Sequence, residues 1–239
     1  MRRTTTIIAC IALAAFGATA NAQEGRDDVS FSWSRVLAAG STITVRNGSG
    51  PIHVREVTGD RVEVRATKIA RSRTSIRDVA FDVQESPTGA TVCTLYGRQT
   101  SCRDNRTSGA PRVLVEFTVL VPPGVDADML TNNGGIDVRL TSNQSDATLT
   151  LSSGSGTLRV ALPSDFRGRI DAQTGQGRLR SEFEMQVVGR LDAHHLTAMI
   201  GNAAAAVTAG ATSTSVAGSR LGPLLRLRTG RGDIELRKN

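Results

Sequence analysis

The sequence predicts an all-β protein: a single-stranded β-helix or β-solenoid-like stack of coils about 21 residues long, preceded by strands and hairpins. Three observations lead there. Aromatic residues make up only 3% of the 239 residues while glycine contributes 24, a profile suited to strands joined by glycine turns and unlike helical bundles, membrane bundles or collagen. Apolar and polar residues alternate at period two, as from Val113 to Val121, which gives a strand one buried and one wetted face. The third observation is an internal repeat, the strongest pattern in the chain.

The repeat unit reads apolar-x-apolar, a polar turn with a small residue five positions after the second apolar residue, and a second apolar-x-apolar pair. Leu149 and Leu151 lead through Gly156 to Leu158 and Val160; Ile170 and Ala172 lead through Gly177 to Leu179; Leu225 and Leu227 lead through Gly232 to Ile234 and Leu236. Two looser copies run from Ala127 through Gly134 to Val138 and from Leu191 through Ala198 to Ile200, and an early copy joins Ile43 and Val45 through Gly50 to Ile52 and Val54. The small residues at 134, 156, 177 and 198 are separated by 22, 21 and 21 positions. A unit this short cannot close a core alone, so it must stack on its neighbours.

Taken in chain order, residues 1–22 join Arg2 and Arg3, an apolar run from Ile7 to Phe16 and a small-x-small ending at Ala20 and Ala22, the pattern of a secretory signal peptide. Lipidation at Cys10 is the competing reading, but it would leave the apolar stretch on the product. Residues 23–239 are read as one all-β domain, with strands and hairpins over 23–125 and the glycine repeat over 126–239. Turn signals at Gly59, at Pro87 to Gly89 and at Pro122 to Gly124 separate the early strands. The repeat degrades between Ala203 and Pro223, where an irregular coil or a long loop is expected. Cys93 and Cys102, the only cysteines beyond the leader, predict a disulfide in an oxidising compartment, since no Cys-x-x-Cys spacing or further metal ligand accompanies them.

The stretch from Ile43 to Val54, the long strand ending at Val121-Pro122-Pro123-Gly124 and the serial Gly-x-Ile/Leu-x-Val/Leu units together resemble a bacterial family of exported putative adhesin domains of unknown function. The resemblance covers about Phe31 to Arg237. It implies a β-solenoid-like fold and a cell-envelope location, and it supplies no catalytic residue.

The formal net charge is +7, and 27 of the 29 basic residues are arginine. Arginines at solvent-facing strand positions, Arg139, Arg159, Arg178, Arg180, Arg226, Arg228 and Arg237, would form positive ribs if the coils stack in register. Such ribs would hold a polyanion, lipopolysaccharide or acidic polysaccharide, because guanidinium forks pair anions bidentately. The plainer reading is a solvated face interleaved with Asp137, Asp171 and Glu235. Nucleic acid is not expected, since stacking aromatics are missing. Arg231-Gly232-Asp233 matches an integrin-type tripeptide but falls on the repeat's turn. His53, His194 and His195 show no ligand spacing, and neither a Gly-x-Ser-x-Gly elbow nor a phosphate loop occurs, so no catalytic residue, metal or cofactor is assigned. The sequence therefore points to a non-enzymatic exported envelope protein, periplasmic or at the surface, that binds an envelope polyanion or another envelope protein. A polysaccharide-active enzyme of the β-helix type and a purely structural envelope-stress component are the alternatives.

Overall fold

The computed structural model describes residues 28–70, 76–102, 112–142, 147–201 and 222–239. The leader and the Ala-rich run at 203–206 lie outside them, as does the polar stretch beyond residue 102. Seventeen strands form among the described residues. The first seven are β1 (Ser30–Val36), β2 (Thr42–Ser49), β3 (Ile52–Glu56), β4 (Arg61–Ala70), β5 (Val79–Ser86), β6 (Gly89–Tyr96) and β7 (Val113–Val121). Then come β8 (Asp126–Asn133), β9 (Ile136–Arg139), β10 (Thr148–Ser155), β11 (Leu158–Leu162), β12 (Gly168–Gln176), β13 (Leu179–Ser181), β14 (Met185–Leu191), β15 (His195–Ile200), β16 (Leu224–Arg231) and β17 (Ile234–Lys238).

The chain is all-β and forms two mixed sheets. The first has the order β1-β4-β7-β3-β9-β11-β17-β13 and the second β14-β15-β12-β16-β10-β8-β2-β6-β5. Five units, β2–β3, β8–β9, β10–β11, β16–β17 and β12–β13, each start in the second sheet, turn at a glycine and finish in the first. Their alternation places Ile43, Ala127, Leu149, Leu225 and Ile170 in one cross-strand row of the second sheet. Ile52, Ile136, Leu158, Ile234 and Leu179 form the matching row of the first. These side chains meet in one core between the sheets, with Phe117 and Phe166 among its largest fully buried members.

Two expectations are corrected. The units do not pile up in chain order as a solenoid of serial coils: β16–β17, the last unit of the chain, inserts between β10–β11 and β12–β13. Charge at one row favours this order. Serial stacking would set Arg159 beside Arg180, whereas β17 places Glu235 between them, and like charges directly opposite on neighbouring strands are destabilising. The loose copy from Leu191 to Ile200 is not a unit of this type either. Its segment forms β15, which pairs antiparallel with both β12 and β14, and Ala198 lies inside that strand instead of at a turn.

At the N-terminal end the early strands behave as ordinary sheet. β4 pairs antiparallel with β1 and β7, and β5–β6 is a hairpin closed at Pro87-Thr88-Gly89. The two edge strands there are tied together: Trp33 on β1 donates its Nε1–H to Glu85 of β5 at 2.9 Å, and Arg35 reaches the same carboxylate at 3.2 Å. Phe31 stacks on Phe81 behind them, with ring centroids 4.6 Å apart.

Candidate binding surface

What holds the units in register is a double ladder at their turns. Gly50, Gly134, Gly156, Gly232 and Gly177 stack so closely that a β-carbon on Gly156 would stand 2.1 Å from the carbonyl oxygen of Gly134, and one on Gly232 2.2 Å from that of Gly156. Three positions before each glycine, a small polar residue points inward and is buried: Asn47, Thr131, Ser153, Thr229 and Thr174. Each spends its hydrogen bond on a stacked glycine carbonyl. Thr131 donates to Gly50 O (3.0 Å), Ser153 to Gly134 O (2.9 Å), Thr229 to Gly156 O (2.9 Å) and Thr174 to Gly232 O (2.9 Å). Asn47 starts the row with bonds to Gly50 O and Val115 O. The recurring polar-x-x-Gly spacing carried this signal in the sequence, where attention to the glycines alone passed over it. The ladder fixes the outward positions of neighbouring strands about 4.8 Å apart.

Onto that frame the structure distributes the seven arginines, and they do not form one stripe. Arg139, Arg159, Arg180 and Arg237 lie on strands of the first sheet, with Arg178 in the turn before β13, while Arg226 and Arg228 lie on β16 in the second sheet. Nor is the main row uniformly positive. His53, Asp137, Arg159, Glu235 and Arg180 stand side by side, alternating in charge from Asp137 onward. Arg159 and Arg237 both reach Glu235, at 3.3 and 2.6 Å, and Arg55 reaches Asp137 at 2.7 Å. The adjacent row, Leu120, Arg55, Arg139, Ala161 and Arg237, has its acids at its two ends, Glu63 beyond Leu120 and Glu182 beyond Arg237, and Arg139 is exposed within it. On the second sheet Asp171 holds His195 at 2.9 Å and lies 3.8 Å from Arg228. Asp128, on the same face, has its carboxyl pushed above the usual range by desolvation, partly offset by Arg46.

The remaining candidates resolve into structure. Arg231-Gly232-Asp233 is the turn between β16 and β17, where Asp233 accepts the backbone N–H of Arg178 at 2.9 Å. Cys93 and Cys102 are joined as a disulfide and, with Ala80 and Leu95, form a small second core on β5–β6. Asp82 approaches the two sulfurs, but they are bonded to each other and offer no thiolate to a metal. His53 faces Glu116 at 3.4 Å. Tyr96 is tucked against Ser49 O, and its burial pushes the phenol pKa up to about 12.

A profile of the family described as Domain of unknown function DUF7330 matches residues 115–221, a span that ends before β16 and β17. No curated protein matches the sequence. Among solved structures the chain is similar to a putative cell adhesion protein from Clostridium sporogenes, with a TM-score of 0.51 at 10% identity over 88% of this chain and 100% of that one. It is also similar to a putative adhesin from Parabacteroides distasonis (TM-score 0.26, 13% identity, 65% of this chain and 62% of that one). A further match is a putative adhesin from Bacteroides fragilis (TM-score 0.26, 8% identity, 88% and 98%). Residues 115–221 are thus similar to a domain of unknown function, and the all-β fold is shared with the clostridial protein.

Proposed function

We propose that this protein is a non-enzymatic, exported envelope protein with an adhesin-like role, and that its first sheet binds an acidic polymer of the envelope, lipopolysaccharide or acidic polysaccharide. The observation that carries the reading is the stretch Arg55, Arg139, Ala161 and Arg237, free of acid between its ends, on a sheet kept in register by the turn ladder. Arg55 and Arg237 are oriented by Asp137 and Glu235, so the row is pre-organised and little rotamer freedom remains to be lost on binding. Arg139 lies between Arg55 and the small Ala161, which leaves its guanidinium room to fork onto an anion. Arg159, Arg178 and Arg180 extend the positive edge, and Arg226 and Arg228 form a separate, smaller patch. A non-enzymatic reading is supported by Asp137 and Glu235 of the first sheet, which are engaged by arginines instead of converging as an acid–base pair. Export is supported by the Cys93–Cys102 disulfide, since such bonds are rare in reducing compartments.

The test is retention of the purified chain on immobilised lipopolysaccharide and on an immobilised acidic polysaccharide. Retention at low salt that falls steeply as ionic strength rises, and that weakens in Arg139→Glu with an unchanged melting temperature, is the expected result. Absence of retention at low salt overturns the proposal.

A further inference from the structure

The two ends of the sandwich are unlike. The β1/β5 end is closed by Trp33, Arg35 and Glu85, but at the opposite end, among the described residues, the first sheet stops at the three-residue strand β13 while the second continues for two more strands, β15 and β14. The overhang leaves a cavity of about 590 Å³ bounded by Leu179 and Leu236 on one side and Met185, Val187, Leu191 and Leu196 on the other. Val187 and Leu191 are 42% and 64% exposed, and Val188 beside them is 42% exposed, so apolar surface on this edge is wetted.

The backbone at this edge is equally unfinished. Arg178 O accepts from Ile234 N, and Glu182 N donates to Leu236 O, so both face β17. By the alternation of a strand, Leu179 and Ser181 turn their N–H and C=O groups the other way, where no described strand pairs with them. The side chains then specify what would fit. Arg178, Leu179, Arg180, Ser181 and Glu182 read basic, apolar, basic, small, acidic. The Arg180 side chain is 58% exposed and, among the described residues, reaches an acid at 3.8 Å, on Asp233. The strand already seated on the other edge, β17, answers this pattern with Asp233, Ile234, Glu235, Leu236 and Arg237.

We propose that the open edge of β13 is a docking site for an extended segment of a partner protein, added as a parallel strand of the form acidic-apolar-acidic-apolar. Its acids pair with Arg178 and Arg180, its first apolar residue aligns with Leu179, and its apolar side chains fill the cavity under β14 and β15. Strand addition of this kind draws affinity from main-chain bonds and specificity from alternate side chains. This site goes beyond the polymer-binding row and does not depend on it.

A labelled peptide copying residues 229–239, which carries the Asp-Ile-Glu-Leu pattern, tests the proposal by fluorescence anisotropy against the purified full chain. Saturable binding is expected, weakened at least tenfold by Arg180→Glu and by Leu191→Asp; Leu191→Asp keeps the parent melting temperature, and Arg180→Glu, which sets a carboxylate beside Glu235, is assayed well below its own lowered melting temperature. A second peptide with both acids replaced by lysine should bind the parent poorly and the Arg180→Glu variant better. Failure of the first peptide to bind at low salt overturns the proposal, and so does binding indifferent to both substitutions. Sedimentation revealing self-association that Arg180→Glu abolishes would assign the edge to a second copy and overturn it as well. Leu191→Asp leaves retention on acidic polymer unchanged, so this proposal and the polymer-binding reading fail separately.

Discussion

Gly156 sits in the middle of the turn ladder, where backbone packs on backbone. Its α-carbon lies over the Gly134 carbonyl, and the same atom of its own peptide receives Thr229. Gly156→Ala forces a methyl to within 2.1 Å of main chain that has no rotamer with which to yield, so a loss of about 3 kcal/mol or more is expected by chemical denaturation. Thr229→Val keeps the shape and deletes one hydrogen bond, for about 1 kcal/mol. Tyr96 supplies a pH signature. Its buried phenol ionises at about 12 in the folded chain against about 10 unfolded. Between those values the unfolded state has released a proton that the folded state still holds, so stability falls as pH rises from 10 to 12. Tyr96→Phe should flatten that decline in urea titrations run across this interval. The glycines of the ladder could be read from sequence because their spacing is regular. Their polar partners are spaced as regularly, but Asn, Ser and Thr before a glycine also describe any solvent turn, and only burial distinguishes the two.

Among the elements, the insertion of β16–β17 carries most weight. β16 pairs on both sides, with β10 and β12, and β17 pairs with β11 and β13. Amide hydrogen exchange should therefore find Leu225, Leu227 and Ile234 protected to the level of global unfolding, while β13 and β14 exchange faster. Glu235 links Arg159 and Arg237 within this element and is largely shielded. Glu235→Gln should cost about 1 kcal/mol, since both arginines are half exposed and screened by solvent, read as a lower denaturation midpoint. The β5–β6 hairpin has its own clip. Opening the Cys93–Cys102 bond by Cys102→Ala releases a short loop and should cost about 2–3 kcal/mol. Existence and type of these strands were legible from alternation, and the cysteine pair from its count. The partner of each strand was not, because five units with the same apolar spacing can each seat on any of the others.

At the scale of the whole molecule, a continuous core lies between two sheets that have one sealed end and, among the described residues, one open end. The seal was partly visible in the sequence, where Trp33 stands near the first strand; the bond to Glu85 requires two edges about fifty residues apart to meet. The open end was invisible, since a cavity comes from unequal strand numbers in the two sheets and no local pattern counts strands.

The amino-acid sequence by itself determined the all-β class, the two-residue period, the glycine turns and the disulfide, because each follows from local stereochemistry or from residue count. Tertiary structure alone decided the order of the units, the division of the arginines between two sheets and the unpaired edge at β13. Those outcomes depend on which charges and carbonyls face each other after the units stack, and repeats this alike leave that choice to long-range contacts.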